Sequence, residues 1–447
     1  MFNWLIYKYY IIILHNIMLS STNIMHGDSP KALLFNSNDS MFSEDIKLMI
    51  HGQGVFIFEN RENQFPCVFT FYDTNQSDGI RIEFTSKNVK VNTIFNCISL
   101  NDPANTKGLT NQSGAYYWFS IDSQNQKLYA GIGEARLDNI IYKYEFPNTD
   151  KHIWKENKQF LEGLTHIYIS KESLSLHPMK LLRDPITKKI PLIVKNTHEL
   201  VMSDIARSKY LPKSNLSMTS QVLYDCIAGE KFVLDDAEFP DFTKAIEYSI
   251  VTPGCWCNTR LQEKSTEFNK DKPNILETYL RITLGENNGE SPGIPYVMEI
   301  WPIGHYSPIH SHASADAIIR VLHGDIFVEL YPFLCSDKDG VAPFSNKTFY
   351  KDDITWISPT LNQVHKLTNL EKNKHTCITI QCYMYNDKNR THYDYFDYLD
   401  VNGKVQQYEP DSDMDFVKFK KLMKTEWMHR PRSFMDNIRH AFCPCCL

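Results

Sequence analysis

Three histidines hold the clearest chemical signal in this chain. His310 and His312 stand one residue apart in GHYSPIHSHASADAIIRVLHG (Gly304–Gly324), and His365 follows in PTLNQVHKLTN. On a strand, residues two apart point to one face, so His310 and His312 project together. Imidazole suits iron, nickel, copper and zinc, and the ligand type alone does not choose among them. An isolated H-x-H is weak evidence. An H-x-H flanked by Gly304 and Gly324, with a further histidine on a later strand-like run, is a strong combination. The expectation is a metal held by His310, His312 and His365.

Such a site needs strands to hold it. From about Leu276 the runs ETYLRITLG, YVMEIWPIG, DAIIRVLHG, DIFVELYPF, KTFYKDDITWISP, QVHKLTN and CITIQCYMYN read as successive strands joined by glycine, proline or Asn/Asp. Helical stretches precede them: HELVMSDIARSKYL, QVLYDCIAG and FPDFTKAIEYSIV. The last stretch, DFVKFKKLMKTEWMHRPRSFMDNIRHAF, has basic and apolar residues at helical spacing and reads as a terminal helix covering one end of a barrel. Before all of this, residues 46–172 alternate apolar and polar positions between Asn, Asp and Gly turns, the pattern of a β-sandwich. Within it, Tyr116, Tyr117, Trp118 and Phe119 read as core and edge packing, with a sugar-binding face as the alternative. Residues 173–200, broken by Pro178, Pro185 and Pro191, read as a linker, and residues 1–45 as an N-terminal extension. The fold expected is mainly β: an N-terminal sandwich, then a barrel domain over 201–447 with a helical preface.

Gly304, His310, His312 and Gly324, followed by His365 and Asn369, resemble the two motifs of the cupin superfamily, and within it the thiol dioxygenases of the cysteine dioxygenase type. The resemblance spans roughly Tyr279 to Asp387, about a quarter of the chain. It implies a cupin barrel, an Fe(II) cofactor held by three histidines, and oxidation of a small thiol by O2 to a sulfinate. The acid of the cupin motif falls on Ala317, while Asp316 is one residue off and faces the other way unless a bulge turns it inward. Three histidines without a carboxylate ligand favour the thiol dioxygenase branch. A cysteine at that position forms a crosslink with a tyrosine in animal cysteine dioxygenases, and Ala317 cannot. YLRIT resembles the family's tyrosine–x–arginine stretch, which makes Arg281 the clamp for a substrate carboxylate and Tyr279 its neighbour. ITIQCY resembles the serine–x–histidine–x–tyrosine run, which places Thr379, Gln381 and Tyr383 on one face at the substrate. Tyr383 keeps the hydroxyl that steadies bound oxygen. Gln381 replaces a histidine, and that departure puts cysteine itself in doubt as the substrate. His305 and Tyr306 fall just before the ligands, at the rim or in an ordinary loop. Two other readings stay open. One is a non-catalytic sensory or binding module whose N-terminal domain takes carbohydrate or protein. The other is a cupin metalloenzyme acting on a non-thiol substrate.

Composition narrows the partners. The 447 residues are 42% hydrophobic and 22% charged, the balance of a globular protein of about two domains. A net charge of −6 with no Lys/Arg stripe gives no reason to expect nucleic acid. No convincing phosphate-binding glycine loop is present. Eleven cysteines without a regular framework suit a reducing, cytoplasmic setting. The apolar start MFNWLIYKYYIIILHNIMLSS resembles a signal or anchor, but it lacks a basic lead and a small-residue cleavage site, so no membrane partner is expected.

Overall fold

The computed structural model describes residues 32–35, 45–60, 65–95, 98–100, 115–170, 179–270, 272–285, 296–312, 315–334, 342–384 and 396–431. The chain is mainly β and divides into two compact units, residues 1–188 and 189–447. Among the described residues no helix is long and apolar enough to cross a membrane. The apolar run at residues 1–21 and the terminal Cys443, Cys445 and Cys446 lie outside them.

The first unit holds β1 (Ala32–Phe35), β2 (Asp45–Lys47), β3 (Gln53–Asn60), β4 (Cys67–Asp73), β5 (Gly79–Phe84), β6 (Val89–Thr93), β7 (Ala115–Asp122), β8 (Lys127–Ile132), β9 (Ile140–Glu145), β10 (Leu164–Ile169) and β11 (Met179–Leu182). They form two sheets, ordered β1-β11-β3-β7-β8-β9 and β2-β10-β4-β5-β6. Alternate residues of facing strands fill the space between the sheets. Phe56 and Phe58 of β3 meet Phe69 of β4 at 5.0 and 4.7 Å between ring centroids, and Phe58 meets Phe84 of β5 edge-on at 5.1 Å. Each such pair adds about 0.5–1.5 kcal/mol beyond the area it buries. Tyr117, Trp118 and Phe119 are all buried, so that aromatic run is packing and not an open sugar-binding face. Trp118 points away from the sandwich centre and lies across Gly131, its partner on β8. A Cβ at Gly131 would sit 2.0 Å from the indole, so no larger residue fits there.

The stretch expected as a linker, 173–200, is drawn differently. Its residues 179–182 are β11, which pairs with both β1 and β3 and closes the first sheet. The short MKLL run was hidden by the prolines and lysines around it. β1 likewise lies inside the stretch expected as an extension.

The second unit holds β12 (Val194–Lys195), β13 (Leu211–Pro212), β14 (Leu280–Leu284), β15 (Tyr296–Trp301), β16 (His310–Ser311), β17 (Asp316–His323), β18 (Asp325–Tyr331), β19 (Ser345–Tyr350), β20 (Ile354–Ile357), β21 (Val364–Thr368), β22 (Cys377–Met384), β23 (Phe396–Leu399), β24 (Val405–Tyr408) and β25 (Met414–Asp415). One sheet runs β13-β12-β20-β17-β22-β15-β14-β25, the other β19-β18-β21-β16-β23-β24. Strand alternation gives the larger sheet two different faces. Leu280, Ile282, Met298, Ile300, Ile318, Ile378, Ile380 and Cys382 point outward into one apolar cluster with helical residues. The helices are Met218–Ile227, Phe242–Val251, Trp256–Glu263 and Phe416–His429. The terminal helix therefore does not cover the end of a barrel: its Phe419 and Met423 are fully buried in the cluster on the outer face of this sheet. The other face, bearing Arg281, Glu299, Trp301, Thr379, Gln381 and Tyr383, lines an internal cavity.

Candidate metal centre

Register brings the three histidines together. His310 of β16 is directly opposite His365 of β21 in an antiparallel pair. His312 follows two residues after His310 and turns to the same side. One nitrogen of each ring falls within 4.8 Å of the others. The His312 and His365 Nε2 atoms are 3.2 Å apart. Two nitrogens about 2.1 Å from one ion are about 3.0–3.4 Å apart in octahedral or tetrahedral arrangements, so this spacing fits a shared metal.

Second partners fix which nitrogen faces inward. His310 Nδ1 bonds the Pro308 carbonyl at 3.0 Å, and His365 Nδ1 bonds the Asn362 carbonyl at 3.1 Å. A carbonyl only accepts, so Nδ1 carries the proton in both rings and Nε2 keeps its lone pair. Asn362 holds φ = +62°, a left-handed conformation that asparagine tolerates, and its side chain donates to the Trp356 carbonyl at 2.9 Å. That turn sets the direction from which β21 delivers His365. His312 Nδ1 is buried without a hydrogen-bond partner. Burial pushes all three imidazoles down: His310 to about 4, His365 to about 3, and His312 well below its ordinary value. They are neutral at pH 7, the form that binds a metal.

No acid joins them. Asp316 lies on the opposite face of β17, where its carboxylate accepts from Ser220 Oγ at 2.7 Å and Ser217 Oγ at 3.2 Å. Ala317 is buried and pairs across the strands with Tyr383. The Ala317 methyl group therefore stands beside the tyrosine.

The histidines sit at one part of a cavity walled by Trp301, Trp356, Ile357 and Phe396. Tyr383 stacks on His312 with ring centroids 5.9 Å apart. Tyr279, Arg281, Thr379 and Gln381 all reach the same cavity. Tyr279 stacks on Trp301 at 4.2 Å. His305 does not line the cavity: its Nδ1 donates to the Thr278 carbonyl at 2.9 Å, and its role is to hold the preceding loop. Asn369 is fully buried and ties the Trp301 and His375 carbonyls together, so it too is structural.

One charged cavity residue is absent from the expected set. Glu299 of β15 is opposite both Arg281 on β14 and Thr379 on β22. Its Oε1 accepts from Arg281 Nη1 at 2.8 Å, with both side chains 7% exposed. Burial pushes the Glu299 carboxyl up, and the Arg281 guanidinium opposes that shift. Arg281 is therefore already paired, and the cavity wall has no free positive charge at this point. The signal was present in YVMEIW: alternation puts Glu299 on the face of Trp301, in the middle of an otherwise apolar run.

No family model matches the chain. Among solved structures, it is similar to the cupin domain of Schizosaccharomyces pombe Cnp3, with 13% identity and a TM-score of 0.19 over 24% of this chain and 65% of that one. It is also similar to Cellulomonas parahominis L-ribose isomerase, with 14% identity and a TM-score of 0.18 over 21% of this chain and 50% of that one. The DMSP lyase DddQ of Ruegeria pomeroyi gives 12% identity and a TM-score of 0.18 over 25% of this chain and 49% of that one. The chain matches less than two thirds of the length of each of these three proteins.

Proposed function

We propose that the second unit is an Fe(II)-dependent dioxygenase that oxidises a small thiol to a sulfinate. The observation that supports this most is three neutral histidines, His312 and His365 buried and His310 half-buried, converging at one cavity with no carboxylate among their ligand atoms in the described residues. Iron(II) at these nitrogens would supply a docking point for thiolate and dioxygen, with both oxygen atoms ending on sulfur. The chain's own residues do the rest. Tyr383, stacked on His312, aims a hydroxyl-bearing ring at the reacting end of the cavity. Trp301, Phe396 and Ile357 exclude bulk water.

The Arg281–Glu299 pair alters the expected substrate. An arginine alone would demand a carboxylate, but here half of the pair is already an acid. Arg281 Nε and Thr379 Oγ1 are buried with no hydrogen-bond partner, which leaves donors for a polar tail. Glu299 in turn offers an acceptor for an amine. The pair suits a thiol that bears an amine, such as cysteamine or cysteine, over one that bears only a carboxylate.

Oxygen uptake tests both parts. After anaerobic loading with Fe(II), cysteamine or cysteine is expected to drive stoichiometric oxygen consumption and sulfinate formation, with 3-mercaptopropionate slower. Iron binding without thiol-dependent uptake would sink the activity. Faster turnover of 3-mercaptopropionate would sink the role given to Glu299 alone.

A further inference from the structure

A second cluster of ligand-type side chains lies in the same unit, built from none of the cavity residues. Glu247 is on the helix Phe242–Val251, His323 ends β17, and His375 is in the turn before β22. One ligand atom of each falls within 4.8 Å of the other two.

Two local features of the chain create this convergence. The register between β17 and β22 shifts between Val321 and His323. Such a bulge re-aims the side chain that follows it. Val321 lines the cavity, whereas His323 turns to Glu247. Next, Gly324 holds φ = +67°, and a Cβ there would sit 2.5 Å from the Thr376 carbonyl oxygen. Only glycine lets the 375–377 segment approach this closely, which sets the His375 ring 5.2 Å from that of His323.

The distances favour a missing ion over a plain hydrogen-bonded triad. His323 Nε2 is 3.3 Å and His375 Nδ1 3.6 Å from the same carboxylate oxygen, Glu247 Oε1. A charged imidazole–carboxylate hydrogen bond closes to about 2.7–2.9 Å. Ligands about 2.0–2.1 Å from a tetrahedral zinc ion stand about 3.3–3.4 Å apart. Thr376 N–H also donates to Oε1 at 3.3 Å, which orients the carboxylate from behind. The side chains are 32%, 25% and 56% exposed for Glu247, His323 and His375, so an ion can enter from solvent and keep water in its remaining position.

We propose that Glu247, His323 and His375 form a second metal site, for a divalent ion of the zinc class. Two histidines and a carboxylate with one open position match the donor set of zinc sites. The ion would clip the helix Phe242–Val251 to the β17–β22 edge of the sheet, independently of the cavity metal.

Zinc(II) itself is the probe, on the full chain freed of any affinity tag. Dialysed wild-type protein is expected to retain about two equivalents of zinc, and His375→Ala about one. A His310→Ala/His312→Ala variant is also expected to retain about one, and zinc should raise its melting temperature. Adding Glu247→Gln to that variant should weaken the remaining site by roughly 100-fold and abolish the thermal shift. His375 is mostly exposed, so its replacement leaves the fold intact, as circular dichroism will verify. Retention of both equivalents by His375→Ala, or of a single equivalent by wild type that the cavity variant loses, would overturn the proposal.

Discussion

The two units use the same alternating strands to opposite ends. Between its sheets the first unit buries Phe56, Phe58, Phe69, Phe71 and Phe84 against Tyr117 and Phe119, ring upon ring. In the second unit the corresponding inward positions are Arg281, Glu299, His312, His365, Thr379 and Gln381, around open space. A large apolar cluster lies on the outside of the larger sheet, where helices complete it, while Trp301, Val321, Ile326 and Phe349 pack at the cavity wall. A sheet pair that fills its middle with phenylalanine gains stability and has nowhere to place a ligand. A sheet pair that keeps polar groups and open space in its middle gains less there, and four helices add apolar burial from outside. The helices flanking the second unit are therefore the condition for the cavity, because they let the inner face serve something other than packing.

The sharpest way to break this contrast is to remove one residue from each interior. His365→Ala is expected to abolish iron retention and thiol-dependent oxygen uptake while leaving the melting profile of the first unit unchanged. Metal analysis and calorimetry on the same sample check both. Phe58→Ala should do the reverse, costing about 3–5 kcal/mol of stability in a denaturant titration with bound metal unaltered.

Glu299→Gln comes next. It removes the charge that pairs with a buried guanidinium, and breaking such a pair costs about 3–5 kcal/mol when nothing replaces it. Carboxylate-bearing thiols should then gain relative to cysteamine in kcat/KM, because Arg281 becomes available to them. A loss of stability with no change in thiol preference would restrict the pair to a structural role.

Acid offers an effect whose sign is determined. Unfolded imidazoles titrate near 6.5. His310 and His365 are held down to about 4 and about 3 by burial. Below about pH 6.5 the unfolded chain binds protons that the folded chain refuses, so the second unit loses stability as pH falls toward about 4 and then 3. Above 6.5 this contribution is fully present. Metal-free protein should show the loss in urea midpoints, and a His310→Ala/His365→Ala variant should show less of it. The smallest effect belongs to Asp316→Ala. Its carboxylate bonds only serines near a helix start, so the change should cost about 1 kcal/mol and leave metal content untouched.

Much of this was legible before any fold was known. H-x-H on a strand, bracketed by Gly304 and Gly324, placed two side chains on one face, and period-two alternation put Thr379, Gln381 and Tyr383 on another. The same period showed that Asp316 and Ala317 face opposite ways, which the Ser217 and Ser220 contacts bear out for the acid. Boundaries were less legible. MKLL in β11 is a short run among prolines, and only its pairing with β3 makes it a strand. The terminal helix was readable as a helix, but not the surface it covers, since an amphipathic stripe does not name its partner.

By itself, then, the sequence determined the alternation, the three candidate ligands and the absence of an acid among them, because these depend on neighbours along one strand. The pairing of Arg281 with Glu299, and the meeting of Glu247, His323 and His375, were decided only by tertiary structure. The first depends on the register of two consecutive strands, β14 and β15, and the second on the register of β17 and β22, far apart in sequence, with a bulge and a glycine contact. Such contacts follow from how the strands and helices close on one another, and no local spacing encodes them.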